Sequence, residues 1–97
     1  MEVTLLYFDD CPNWRTTYAT LSRLSSECGF EVRYRRIADL DEAELYDFRG
    51  SPSVLVDGVD PLFEPDTPVG MSCRLYRGPS GPLGSPTEAM LREALCL

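Results

Sequence analysis

The side chains best placed for chemistry are cysteines, and one of them sits at a joint. In Asp9-Asp10-Cys11-Pro12-Asn13-Trp14 a thiol lies between the most strand-like run of the chain and its best helical stripe. Proline is favoured at the first helical position, so Pro12 places a helix start there and leaves Cys11 at or beside the N-cap. Unpaired backbone N–H groups and the positive end of the helix dipole stabilise a thiolate at such a position, which makes Cys11 the candidate nucleophile. Opposing signs meet there. The helix end lowers the thiol pKa, while Asp9 and Asp10 raise it, and a single charge about 4 Å away is worth about 1 kcal/mol in water. The plain alternative is a structural cysteine, since a free thiol packs as a small hydrophobe.

Cys28, Cys73 and Cys96 complete the set; no two of the four form Cys-x-x-Cys, and the chain has no histidine. The usual zinc spacings cannot be assembled, so no resident metal and no cofactor is expected. Ninety-seven residues suit one domain, 1–97, and a hydrophobic fraction of 43% argues for a globular chain. Nine basic against sixteen acidic residues, with net charge −7, disfavour a polyanion-binding surface, so no nucleic-acid partner is expected. No uncharged run approaches the roughly 18 residues of a membrane helix, and Met1-Glu2-Val3 lacks the basic start of a signal peptide. The expectation is a cytoplasmic chain with no membrane partner, acting as a monomer or weak dimer, with all four cysteines as thiols in reducing surroundings.

The elements that must position Cys11 follow from patterning. Val3-Thr4-Leu5-Leu6-Tyr7-Phe8 is uncharged and apolar apart from Thr4, as in a central strand buried on both faces. Trp14, Tyr18, Leu21, Leu24 and Cys28 recur at spacings of three and four, one helical stripe ended by Gly29. Residues 30–37 alternate apolar and charged, giving a strand whose Arg33, Arg35 and Arg36 read as a solvated edge face. Asp39 and Glu42 start a second helix in a capping-box-like relation, and its acidic side reads as solvated surface rather than as an acid/base pair.

Gly50-Ser51-Pro52-Ser53-Val54-Leu55-Val56-Asp57-Gly58 is a proline-led strand ending in a turn pair. Residues 59–71, rich in proline and acidic side chains, form a loop long for a hairpin, which is either a lid or a decorated surface. Residues 72–76 alternate again as a returning strand. After a turn-rich connector whose glycines lack a nucleotide-loop setting, Ser85-Pro86-Thr87-Glu88 starts a terminal helix. Pairing 53–57 antiparallel with 72–76 would set Cys73 about 13 Å from the level of Pro52, at roughly 3.3 Å per residue. That is too far for a disulfide to Cys11, and it brings Arg77 beside Cys11 instead. Cys28 and Cys96, at the ends of helices running the same way, are placed at one pole far from Cys11 and read as structural.

The order strand, Cys-Pro, helix resembles the active-site start of the thioredoxin and glutaredoxin superfamily. Ser51-Pro52-Ser53 is similar to that superfamily's small residue-Pro-small residue step, which holds a cis peptide facing the active-site cysteine. The resemblance spans nearly the whole chain and implies a minimal thioredoxin-like α/β fold, βαβαββα, with a mixed four-stranded sheet, helices on both faces and a cis Pro52. Trp14 stands where the second cysteine of Cys-x-x-Cys would be, so a local dithiol cycle is excluded.

The nearest form is a group of small bacterial, often actinobacterial, thioredoxin-like proteins. They share Asp10 to Asn13, the segment from Gly50 to Pro61, and Ser72 to Arg77. Some resemble segments labelled as alkylmercury lyase-associated. The resemblance implies a thiol oxidoreductase or thiol-transfer role through Cys11, with Pro12, Asn13, Trp14, Ser51, Pro52 and Arg77 shaping the site and a thiol, disulfide or redox protein as partner. Two alternatives stand beside it: soft-metal or organomercurial binding through Cys11, alone or with Cys73, since thiolates select soft metals, and a non-catalytic interaction module. Trp14 either packs the first helix on the sheet or forms an aromatic wall beside the thiol.

Overall fold

A computed structural model describes residues 1–96. In chain order the elements are β1 (Glu2–Tyr7), α1 (Trp14–Cys28), β2 (Glu31–Arg36), α2 (Leu40–Leu45), β3 (Arg49–Ser51), β4 (Ser53–Val56), β5 (Gly70–Cys73), β6 (Tyr76–Gly78), β7 (Gly81–Leu83) and α3 (Glu88–Leu95). The main sheet is mixed: β1 lies at its centre, parallel to β2 and antiparallel to β4.

β1 is apolar along most of its length because both of its faces are covered. Val3, Leu5 and Tyr7 point to one side, where Leu21 and Leu24 of α1 and Leu91 and Leu95 of α3 close over them with Phe30 and Val54. Leu6 and Phe8 point to the other side and pack with Cys11, Ile37, Ala43 and Phe48. Helices therefore flank the sheet on both faces. Asp39 caps α2 by accepting the Glu42 amide at 2.9 Å, and Glu42 in return accepts the Ala38 amide at 2.7 Å, one residue before the cap, which is the expected capping-box-like relation. The terminal helix starts later than the sequence suggests: Thr87, not Ser85, is its cap and accepts the Met90 amide at 3.1 Å.

The sheet differs from the expected four strands. Asp57 and Gly58 both take positive φ, 49° and 87°, and make a two-residue turn that pairs Val56 with Val59. The hairpin stops at that single bridge. Residues 60–69 carry the chain back along the molecule, and β5 then pairs with β3 in parallel, outside the main sheet. A second small pair, β6 with β7, follows. The expected antiparallel pairing of 53–57 with 72–76 is thus replaced by β3 alongside β5, with Ser51 opposite Cys73.

Candidate functional site

β1 delivers the chain to a tight turn in which the Cys11 amide donates to the Phe8 carbonyl at 3.4 Å. The Arg15 amide reaches the Pro12 carbonyl at 3.2 Å, so helical bonding begins around Pro12 and Asn13, one or two residues before Trp14. Asn13 stands at the N-cap in helical conformation and makes no side-chain cap. Its amide instead points at Cys11, with Nδ2 3.9 Å from Sγ, and rests against Gly84. Cys11 itself is fully buried, 0% exposed.

On the other side of the sulfur lies Ser51-Pro52, whose peptide bond is cis. This step is gripped from every direction. Ser51 Oγ accepts the Phe8 amide at 3.3 Å, and the Ser51 carbonyl accepts the Arg74 amide at 3.0 Å. The Tyr76 hydroxyl donates to the Pro52 carbonyl, and Ser53 Oγ donates to the Gly50 carbonyl at 2.6 Å. Gly50, at φ 110°, lies so close to Arg74 that a Cβ there would fall 2.9 Å from the arginine's own Cβ. Ser51, Pro52 and Ser53 are all buried.

The register of β5 against β3 brings Cys73 to Cys11, and the two form a disulfide with Cα atoms 5.8 Å apart. This corrects both the expected free thiols and the expected separation of Cys11 from Cys73. The separation was inferred from a hairpin, whereas the 60–69 loop returns the chain to the Ser51 end of the strand. The pair is asymmetric: Cys11 is sealed among Leu6, Phe8, Ile37, Ala43 and Phe48, while Cys73 is exposed. The Ser51 carbonyl stands 3.6 Å from Cys11 Sγ; in the disulfide this is only a contact, and on reduction it is an acceptor for the thiol. Cys28 and Cys96 form a second disulfide, Cα atoms 5.6 Å apart, joining the ends of α1 and α3. The expectation that these two cysteines share one pole holds, but they are covalently joined rather than free.

Arg77 is not drawn to Cys11. Its side chain is 82% exposed and pairs with Glu64 at 3.0 Å. The arginine that matters next to the pair is Arg74, whose guanidinium meets Asp60 Oδ2 and the Leu62 carbonyl, both at 2.6 Å, and stacks over Tyr76. Sequence reading passed over Arg74 and Asp60; it sets Tyr76 beside Pro52, and the phenol does meet the Pro52 carbonyl. The signal was present in the alternation of 72–76, which sets Arg74 and Tyr76 on the inward face and so requires a partner for a buried guanidinium.

Trp14 stacks on Tyr7 with ring centroids 4.1 Å apart and carries Arg15 over its face, fastening α1 to the sheet. With Tyr18 and Tyr34 it also borders a shallow depression. Asp9 is held by Arg36 at 2.8 Å, a contact that raises the arginine's pKa through the hydrogen bond and charge of the carboxylate. Asp10 is exposed. Among the described residues no cluster of three or more His, Cys, Asp or Glu side chains is arranged to hold a metal, and no helix is long and apolar enough to cross a membrane. Comparison with protein-family models, curated proteins and solved structures gives no match for this chain.

Proposed function

We propose that the protein is a thiol–disulfide exchange protein of thioredoxin-like architecture whose working pair is Cys11 and Cys73. The observation that carries this reading is the asymmetric disulfide itself. One sulfur is held just before α1 beside a cis proline, and the other belongs to an exposed residue at the end of a short strand. Cys73 supplies the second thiol that the Cys11 motif lacks. The partner is a small thiol, a disulfide or a redox protein; in reducing surroundings such as a cytoplasm a thiol opens the pair and a disulfide substrate recloses it. A disulfide with no route to solvent resists reduction until unfolding, whereas an accessible sulfur exchanges while the fold stands.

The test is equilibration in glutathione buffers of graded ratio, followed by acid quenching and mass mapping of both disulfides. Reversible opening of Cys11–Cys73 in folded protein, with Cys28–Cys96 intact, supports the reading. Opening of both only on unfolding would leave a disulfide-stapled interaction module. Soft-metal binding remains a second reading on one observation: reduction would leave two thiols on residues whose Cα atoms are 5.8 Å apart, the donor set a two-coordinate soft ion takes.

A further inference from the structure

Resting on that exchange reading, we infer that Cys73 is the sulfur through which small thiols enter and leave, and that Cys11 is the buried leaving and resolving sulfur. This reverses the roles that the position of Cys11 at a helix start suggests.

Thiolate attack on a disulfide proceeds in line with the bond that breaks, through a mixed disulfide, and depends on which sulfur is reachable. An in-line approach to Cys11 would come from the side away from Cys73. Cys11 is fully buried in a cluster with Leu6, Phe8, Ile37 and Phe48, which leaves that approach no opening. An in-line approach to Cys73 comes from the side away from Cys11, and Cys73 is exposed, with exposed Ser72 beside it.

The products follow. A thiolate RS⁻ forms a bond to Cys73 Sγ, the Sγ–Sγ bond breaks, and its electron pair leaves on Cys11 as thiolate. There it meets Asn13 Nδ2, 3.9 Å away, and the N-terminal end of the fifteen-residue α1. Once protonated, the Cys11 thiol has the Ser51 carbonyl at 3.6 Å as acceptor. From the adduct two steps are open. Cys11, deprotonated again, attacks Cys73 Sγ and expels RS⁻, which only reverses the opening, or a second RS⁻ attacks the adduct sulfur, releasing RSSR and leaving the dithiol. The cycle closes when the Cys73 thiolate attacks a small disulfide R′SSR′, expelling R′S⁻, and Cys11 then attacks Cys73 Sγ and expels the second R′S⁻, restoring the Cys11–Cys73 bond. The reductant is thus a small-molecule thiol, the oxidant a small-molecule disulfide, and two electrons pass in each full cycle. The fixed positions of Arg74 and Ser51 keep Cys73 within reach of Cys11 throughout.

The experiment uses the full chain with Cys28–Cys96 intact. Wild-type protein is exposed to limiting glutathione, acid-quenched within seconds and mapped by peptide mass spectrometry. The adduct is expected on Cys73. In parallel, reduced Cys11→Ser and Cys73→Ser variants are mixed with oxidised glutathione, and the former is expected to acquire its adduct at least about tenfold faster, because access governs which sulfur exchanges. An adduct on Cys11 in the wild type, or equal rates in the variants, would overturn the polarity while leaving exchange in place. A wild-type pair that glutathione does not open in the folded state would overturn the exchange reading itself. The wild-type mapping decides the matter even if a single-cysteine variant fails to fold.

Discussion

Arg74 Nη1 and Asp60 Oδ2 lie 2.6 Å apart with their side chains almost sealed from water, 2% and 14% exposed. No residue separates this ion pair from the disulfide, since Arg74 directly follows Cys73. The same guanidinium reaches Ser53 Oγ at 3.3 Å and the Leu62 carbonyl, so one side chain ties the 60–69 loop, the cis-proline step and the exposed sulfur together. Desolvating two charges is costly, and their attraction compensates only when further hydrogen bonds accompany it, as those to Ser53 and Leu62 do here.

Removing one member of this pair is therefore expected to be severe. Asp60→Asn and Arg74→Ala should each lower unfolding free energy by about 3–5 kcal/mol, the range for a buried charge left without its partner. Denaturant titration of the oxidised protein measures this. A loss below about 1 kcal/mol would place the pair with exposed ion pairs and against the sealed geometry. In whichever variant still folds, the reduced Cys11–Cys73 pair should also reclose more slowly, because Cys73 is no longer pinned beside Cys11.

The second disulfide is expected to behave as a staple. It joins residues 68 apart in sequence, and in the chain-entropy model a loop of that size stabilises by about 4 kcal/mol. Replacing Cys28 and Cys96 together by serine should shift the denaturation midpoint accordingly, while the glutathione adduct at Cys73 forms as before. A double variant with unchanged stability, or one whose Cys73 no longer takes the adduct, would remove the division of labour between the two disulfides.

How much of this was legible in the sequence depends on how local each signal was. Asp39 with Glu42, Gly29 and the Trp14-to-Cys28 stripe are decided within a few residues, and those elements form where patterning puts them. The cis peptide at Pro52 came from resemblance rather than from propensity. The pairing of Cys11 with Cys73 depends on where the 60–69 loop delivers the chain, and no residue within that loop encodes its path by itself. The anchors are distant: Arg49 donates to the Thr67 carbonyl and lies over Phe63, and Arg74 holds Asp60 and Leu62. A hairpin was the simplest inference from Asp57-Gly58, and the turn does form, but tertiary ion pairing redirects the strand after Val59. With the register went the neighbours of Cys11, so Arg77 was favoured where Arg74 and Cys73 belong.

Tyr76 gives a pH signature. Burial, the dominant cause, pushes its pKa above the ordinary tyrosine value, with Arg74 opposing and Asp60 reinforcing. The folded state therefore keeps the phenol neutral and bonded to the Pro52 carbonyl after the unfolded chain has begun to ionise. Below about pH 10 both states are protonated and this contribution is intact; above it the unfolded state binds fewer protons, so stability falls as pH rises. The slope approaches about 1.4 kcal/mol per pH unit for one such group. Urea titrations at pH 8.5 and about 10.5 should show the loss, and Tyr76→Phe should flatten it at a cost near 1–3 kcal/mol for the buried carbonyl left unpaired. An identical slope in the Tyr76→Phe protein would assign the effect elsewhere.

Charge should set which small disulfides react best. The chain carries net charge −7, and its nine cationic side chains are all arginines. Asp9 is partly neutralised by Arg36, but Asp10 is exposed and directly precedes Cys11. Consecutive Cα atoms are about 3.8 Å apart and the Cys11 and Cys73 Cα atoms 5.8 Å, so the Asp10 Cα lies within about 10 Å of that of Cys73. That is close to one Debye length at 0.1 M salt. A cationic disulfide such as cystamine should then oxidise the reduced pair several-fold faster than anionic oxidised glutathione at low ionic strength. The ratio should contract toward unity by about 1 M salt, where the screening length is about 3 Å. Asp10→Asn should narrow it without altering where the adduct forms. Stopped-flow rates for the two oxidants across a salt series read this directly; a ratio that ignores salt, or one that Asp10→Asn leaves untouched, would mean that access to Cys73 alone, and not the acidic surround, selects the partner.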